Sequence, residues 1–172
     1  MTNRNLKHLV AAFVVAMGAL NLTACGFALR GTSDHALTLA PQNTQAAVAL
    51  EDTPIAAALK SPLLRQLQLI GVHNQTNSPN RIDIKNVRFR RFELVGTLTE
   101  VRQVLTADIS YTVVKNGQTL HFSGPLQVES THQYDEVSVV TGDKQGDKAQ
   151  MWLYETLAQR IAEQYRTHVL TH

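Results

Sequence analysis

The chain has 172 residues, with 16 Lys and Arg against 14 Asp and Glu. That near balance argues against a nucleic-acid binder, and the length suits one domain with a real core. A single cysteine excludes an intramolecular disulfide framework.

The first segment has three parts. Arg4 and Lys7 make a short positive start, Leu9 to Leu20 is almost continuously apolar, and Leu22-Thr23-Ala24 precedes Cys25. This is the layout of a secretory signal peptide. The apolar run is about a dozen residues, whereas a membrane span needs roughly 20, so a retained anchor is the weaker reading. Leu-Thr-Ala-Cys also has the pattern of a bacterial lipobox, which makes Cys25 the expected lipid-attachment residue. Its sulfur takes a diacylglyceryl group, the signal is cut, and the new amino terminus is acylated. Two or three acyl chains hold a protein durably where one does not. Gly26, rather than Asp, favours the outer membrane, facing the periplasm. The expected division is residues 1–24 as lipoprotein signal peptide, 25–45 as lipidated tether and loop, and 46–172 as a single α+β domain. Without the signal, acids and bases are equal in number.

In the domain, a short strand is expected near Ala46–Leu50. Asp52-Thr53-Pro54 reads as a helix start, with Thr53 as cap and Pro54 in the first helical position. Ile55, Leu59, Leu63, Leu67 and Ile70 then recur on one helical face. Ser61-Pro62 predicts a kink or a restart, and Gly71 a left-handed close. Asn74 to Asn80 reads as a loop.

Ile82 to Leu94 is a basic strand whose apolar parity shifts from Ile82/Ile84 to Val87/Phe89, predicting a bulge near Lys85-Asn86. Val101 to Val114 alternates, with Val101, Leu105, Ala107, Ile109, Tyr111 and Val113 on one side. Asn116-Gly117 is a two-residue hairpin signal. The return strand places Leu120, Phe122, Leu126 and Val128 inward, with Gly124-Pro125 marking a bulge or an edge. A closing helix from about Asp147 to Thr167 carries Met151, Tyr154, Leu157, Ala158, Ile161, Ala162 and Tyr165 as its stripe. These elements predict a two-layer α+β sandwich: a four-stranded, mostly antiparallel sheet covered on one face by two helices.

Motifs for catalysis are missing: there is no Gly-x-Ser-x-Gly, no His-Glu-x-x-His and no glycine-rich phosphate loop. This lowers the case for an enzyme without excluding a dispersed triad. His168 and His172 have i, i+4 spacing but no third ligand, so no metal and no cofactor are expected. Residues 81–102 hold six bases (Arg81, Lys85, Arg88, Arg90, Arg91, Arg102) against three acids. A solvated strand edge accounts for such a bias as well as an anion site does.

Cys25-Gly26-Phe27-Ala28-Leu29-Arg30-Gly31 resembles the mature start of the lipopolysaccharide-assembly lipoproteins, the LptE family. The order of elements is similar too, including a helix ending Leu67 to Val72 and a Gln133-Tyr134-Asp135 segment before the last helix. The resemblance implies a non-enzymatic protein that plugs the lumen of the outer-membrane β-barrel LptD as a heterodimer and assists its assembly. It also implies binding of lipopolysaccharide on its way to the outer leaflet. The family's lipid-contacting arginine falls at Leu94 here, so the role either shifts to the nearest bases, Arg88, Arg90 and Arg91, or is absent, and the family's lysine fits Lys144 better than Lys148. Alternatives are an accessory lipoprotein of another outer-membrane machine, or a lipid or glycan hydrolase with dispersed residues.

Overall fold

The computed structural model of the protein describes residues 39, 43–94, 99–134 and 144–171. Cys25 and the segment that carries the resemblance lie outside them. Among the described residues the chain forms β1 (Gln45–Leu50), α1 (Pro54–Leu69), β2 (His73–Asn74), β3 (Arg81–Leu94), β4 (Thr99–Lys115), β5 (Gln118–Tyr134) and α2 (Lys144–Thr171).

The sheet has five strands in the order β2-β1-β3-β4-β5 and is mixed, which corrects the expected four-stranded, mostly antiparallel sheet. β1 runs parallel to both β2 and β3, while β3–β4 and β4–β5 are antiparallel. Two physical causes account for the difference. The helix α1 follows β1 and returns the chain to the same end of the sheet, and a strand–helix–strand crossover leaves its strands parallel. The fifth strand, β2, is too short to show an alternation in the sequence. It is held by backbone bonds from His73 N–H to the Thr44 carbonyl (2.8 Å) and from Gln75 N–H to the Ala46 carbonyl (3.0 Å). The Asn74 side chain extends the ladder, accepting from Val48 N–H at 3.1 Å.

α1 begins as its sequence predicts. Thr53 has extended backbone and its hydroxyl accepts from Ala56 N–H at 3.2 Å. Pro62 sits inside the helix without ending it, and Ala56, Leu59, Leu63 and Leu67 are buried along one face. At the far end Val72 N–H donates to the Leu67 carbonyl (2.9 Å) and Gly71 N–H to that of Gln68 (3.0 Å). This reciprocal pair needs a left-handed residue between them, and Gly71 supplies it at φ +80°.

The β4–β5 hairpin turns at Asn116-Gly117, both with positive φ (51° and 77°), the mirror-image turn that matches strand twist. Gly124 and Pro125 pair with Ile109 and Asp108 in unbroken register, so they mark an edge strand and not a bulge. On α2 the buried stripe is Leu153, Tyr154, Leu157, Ala158, Ile161, Ala162, Tyr165 and Val169. Met151, expected in that stripe, is 62% exposed. Four-residue steps from Leu153 through Leu157, Ile161, Tyr165 and Val169 set the seam, which turns Met151 outward. Both helices pack on one face of the sheet, against Ile82, Ile84, Leu105, Ile109 and Val113. Each fully buried aliphatic side chain there contributes about 1.5–3 kcal/mol.

Candidate functional site

Among the described residues nothing packs on the opposite face of the sheet, and the chemistry of that face is set by the bulge in β3. The β3–β4 register shifts between Lys85 and Arg88, and Asn86 adopts φ +52°. Before the bulge the even positions, Ile82 and Ile84, are buried; after it Val87 and Phe89 point inward and Arg88 and Arg90 are exposed. Without that one-residue change of phase both arginines would face the hydrophobic core.

Glu51, at the end of β1, holds the bulge. Its carboxylate accepts from Asn86 N–H and Val87 N–H, both at 2.8 Å. The Asn86 side chain reaches Asp108 Oδ2, also at 2.8 Å. A bulge leaves amides without ladder partners, and a carboxylate is a strong acceptor for them.

Three cross-strand rows make the open face. Arg88 stands opposite Thr106 and then Gln127, Arg90 opposite Val104 and Glu129, and Phe92 opposite Arg102 and Thr131. Arg88, Arg90 and Arg102 thus surround an apolar floor of Val104 and Phe92, in a shallow groove of about 440 Å³. Val104 is only 7% exposed although it lies on the open side, because its long neighbours cover it, while Phe92 remains 44% exposed. Arg102 pairs with Glu129 across β4 and β5. Among the described residues Arg88 and Arg90 have no carboxylate partner. Guanidinium groups around an apolar patch can hold an anion whose body is apolar, since each planar fork bonds two oxygens.

The four cations expected from the sequence divide between the two sides of the sheet. Arg88 and Arg90 share the open face. Arg91 stands beside Gln103 on the helix side, and its Nε lies 3.6 Å from Glu93 Oε1. Gln103 donates to the Gly146 carbonyl (3.2 Å) in the first turn of α2, the turn that begins at Lys144. Lys144 therefore belongs with Arg91's side. Glu51, Phe92 and Val104 were not legible as parts of a site: Glu51 reads as a residue preceding a helix cap, and Val104 as a single break in a polar alternation. Arg102 showed only as part of the basic bias.

A second concavity of about 770 Å³ lies between β5 and α2. Tyr111 is buried there, its hydroxyl donating to the Ile161 carbonyl (3.2 Å) with Gln164 Oε1 3.0 Å away. Burial pushes the Tyr111 phenol well above its ordinary value. The ring of His168 stacks on Phe122 at 4.0 Å. Ser123, opposite Ser110 in the sheet, also lines this concavity, and no hydrogen bond joins it to His168 among the described contacts. Among the described residues no three His, Cys, Asp or Glu side chains converge to hold a metal, and no helix is long and apolar enough to cross a membrane.

No protein-family model matches the sequence, and no curated protein does. Solved structures do match in fold. A minor lipoprotein from Acinetobacter baumannii superposes with a TM-score of 0.62 at 24% identity, covering 74% of this chain and 94% of that one. Rare lipoprotein B from Shewanella oneidensis superposes with a TM-score of 0.61 at 11% identity, covering 74% and 97%. The chain thus has the fold of small bacterial lipoproteins, and at these identities the likeness is one of fold.

Proposed function

We propose that the protein is an outer-membrane lipoprotein, anchored through Cys25 and facing the periplasm, that partners the LptD barrel and binds lipopolysaccharide. Binding is the act in this reading; no bond is made or broken. The observation that carries it is the open sheet face, where Arg88, Arg90 and Arg102 ring Val104 and Phe92. Phosphate groups suit the arginines and an acyl-rich body suits the floor, which is the chemistry of lipid A. The lipobox at Cys25 and the lipoprotein fold support the location, and the Cys-Gly-Phe-Ala-Leu-Arg start supports the choice of partner. As plug, the two-layer domain occupies the lumen of a barrel of about 26 strands.

The test separates the two groups of cations. Arg88→Gln, Arg90→Gln and Arg102→Gln together are expected to weaken binding of purified lipopolysaccharide about tenfold or more, from loss of charge-assisted bonds. Arg91→Gln with Lys144→Gln is expected to weaken it far less. Unchanged binding in the triple variant, with the fold intact by circular dichroism, would remove the open face from the reading. Copurification with a barrel other than LptD would replace the partner.

A further inference from the structure

We infer that Glu129 determines which ligands the open face selects. By holding Arg102 it leaves Arg88 and Arg90 as the seat of the anion, so the groove grips an amphiphile through one phosphate group and gains little from a second. This rests on the reading of that face as an anion site, and it adds the number and the place of the anionic contacts.

The three arginines of the groove have different surroundings. Arg88 and Arg90 are exposed and stand two residues apart on one strand, about 7 Å along the same face. Across the sheet Arg88 meets Thr106 and Gln127, both uncharged, and Arg90 meets Val104 before Glu129. Neither makes an ion pair among the described residues. A phosphate seated between them takes paired N–H donors from each fork, with Thr106 and Gln127 beside it in the wall.

Arg102 is committed elsewhere. Its Nη2 lies 2.5 Å from Glu129 Oε2, a diagonal pair across β4 and β5. Glu100, two positions before Arg102 on the same face, is exposed as well. One guanidinium therefore stands among two carboxylates at this end of the groove, while Arg88 and Arg90 have none opposite them on β4. The other charges of this face lie beyond the bulge. Lys85 is opposite Asp108, which accepts from the Asn86 side chain, and Arg81 pairs with Asp83.

Selectivity follows from this uneven field. The Arg102–Glu129 pair is about half exposed, so it is weak in itself and a phosphate can displace the carboxylate. Having done so, the phosphate sits beside two like charges, and their repulsion offsets most of what Arg102 offers. A phosphate at Arg88 and Arg90 avoids that repulsion, and its apolar body lies along Val104 and Phe92. Glu129 touches no ligand in this arrangement; it acts through Arg102.

The full lipidated chain in uncharged detergent is titrated by calorimetry with hexyl phosphate and with 1,6-hexanediol bisphosphate. The two probes share one apolar body and differ by a phosphate at its far end. The native chain is expected to bind them within about twofold of each other. Glu129→Gln is expected to tighten the bisphosphate about fivefold, because the released Arg102 then meets the second phosphate. The same variant is expected to hold hexyl phosphate within about twofold of the native value, since salt screens a charge that distant. Adding Arg102→Gln to Glu129→Gln is expected to abolish the gain. Glu129 is exposed and Gln matches its shape, so circular dichroism is expected to be unchanged. The inference is overturned if the native chain already prefers the bisphosphate about fivefold or more. It is equally overturned if Glu129→Gln tightens both probes alike, or if the gain survives Arg102→Gln. Failure of the underlying reading looks different: neither probe binds, or hexyl phosphate binds the Arg88→Gln, Arg90→Gln variant as well as the native chain.

Discussion

The carboxylate of Glu51 accepts both bulge amides at 2.8 Å, and through them it decides that Arg88 and Arg90 face outward. Glu51→Ala strands two donors and is expected to cost about 2 kcal/mol in urea denaturation. It is also expected to weaken lipopolysaccharide binding without touching a ligand contact, while Glu51→Gln, which keeps one acceptor, recovers part of both. Stability unchanged in Glu51→Ala would mean that the positive φ of Asn86 holds the bulge unaided. A second residue-level effect concerns buried phenols. Burial pushes Tyr165 from 10.0 up to about 12, with a smaller opposing contribution from Asn80, and raises Tyr111 as well. Between these values the unfolded chain loses its phenolic proton while the folded chain keeps it. The stabilisation is therefore complete below pH 10 and is lost as pH rises through about 12. Thermal midpoints are expected to fall over that window, and Tyr165→Phe is expected to flatten the fall; an identical slope would assign the effect elsewhere.

Among the elements, α2 tests the packing argument most directly. Leu157 is 0% exposed against the sheet, whereas Met151 is 62% exposed. Leu157→Asp strands a charge in the core and is expected to cost more than about 4 kcal/mol, enough to unfold the domain. Met151→Asp is expected to stay within about 0.5 kcal/mol. Circular dichroism melts of the pair decide: a folded Leu157→Asp would place the seam elsewhere on the helix. The helix was legible because its apolar residues recur every three or four positions. Its phase was less so, since Met151 and Leu153 both extend the pattern and only the sheet chooses between them. α1 was legible down to its ends, because Thr53 and Gly71 act on the backbone within a few residues of themselves. β2 was not, because His73 and Asn74 form a strand only through Thr44, Ala46 and Val48.

For the whole molecule, Cys25 carries the proposed anchor. Cys25→Ala is expected to leave an uncleaved precursor absent from the outer-membrane fraction, checked by mass spectrometry and membrane fractionation. A cleaved, outer-membrane-held variant would overturn the lipobox reading. The sequence by itself determined what depends on near neighbours. It marked the caps of α1, the Asn116-Gly117 turn, the parity change at Lys85-Asn86 and the alternation of β4, each written within a few residues. Only the tertiary structure decided that β1 is parallel, that Arg91 and Lys144 part from Arg88 and Arg90, and that Arg102 joins Arg88 and Arg90. Those outcomes depend on which strand lies beside which, and strand partnership is set by burial and hydrogen bonds between residues far apart in the chain, which no local pattern records.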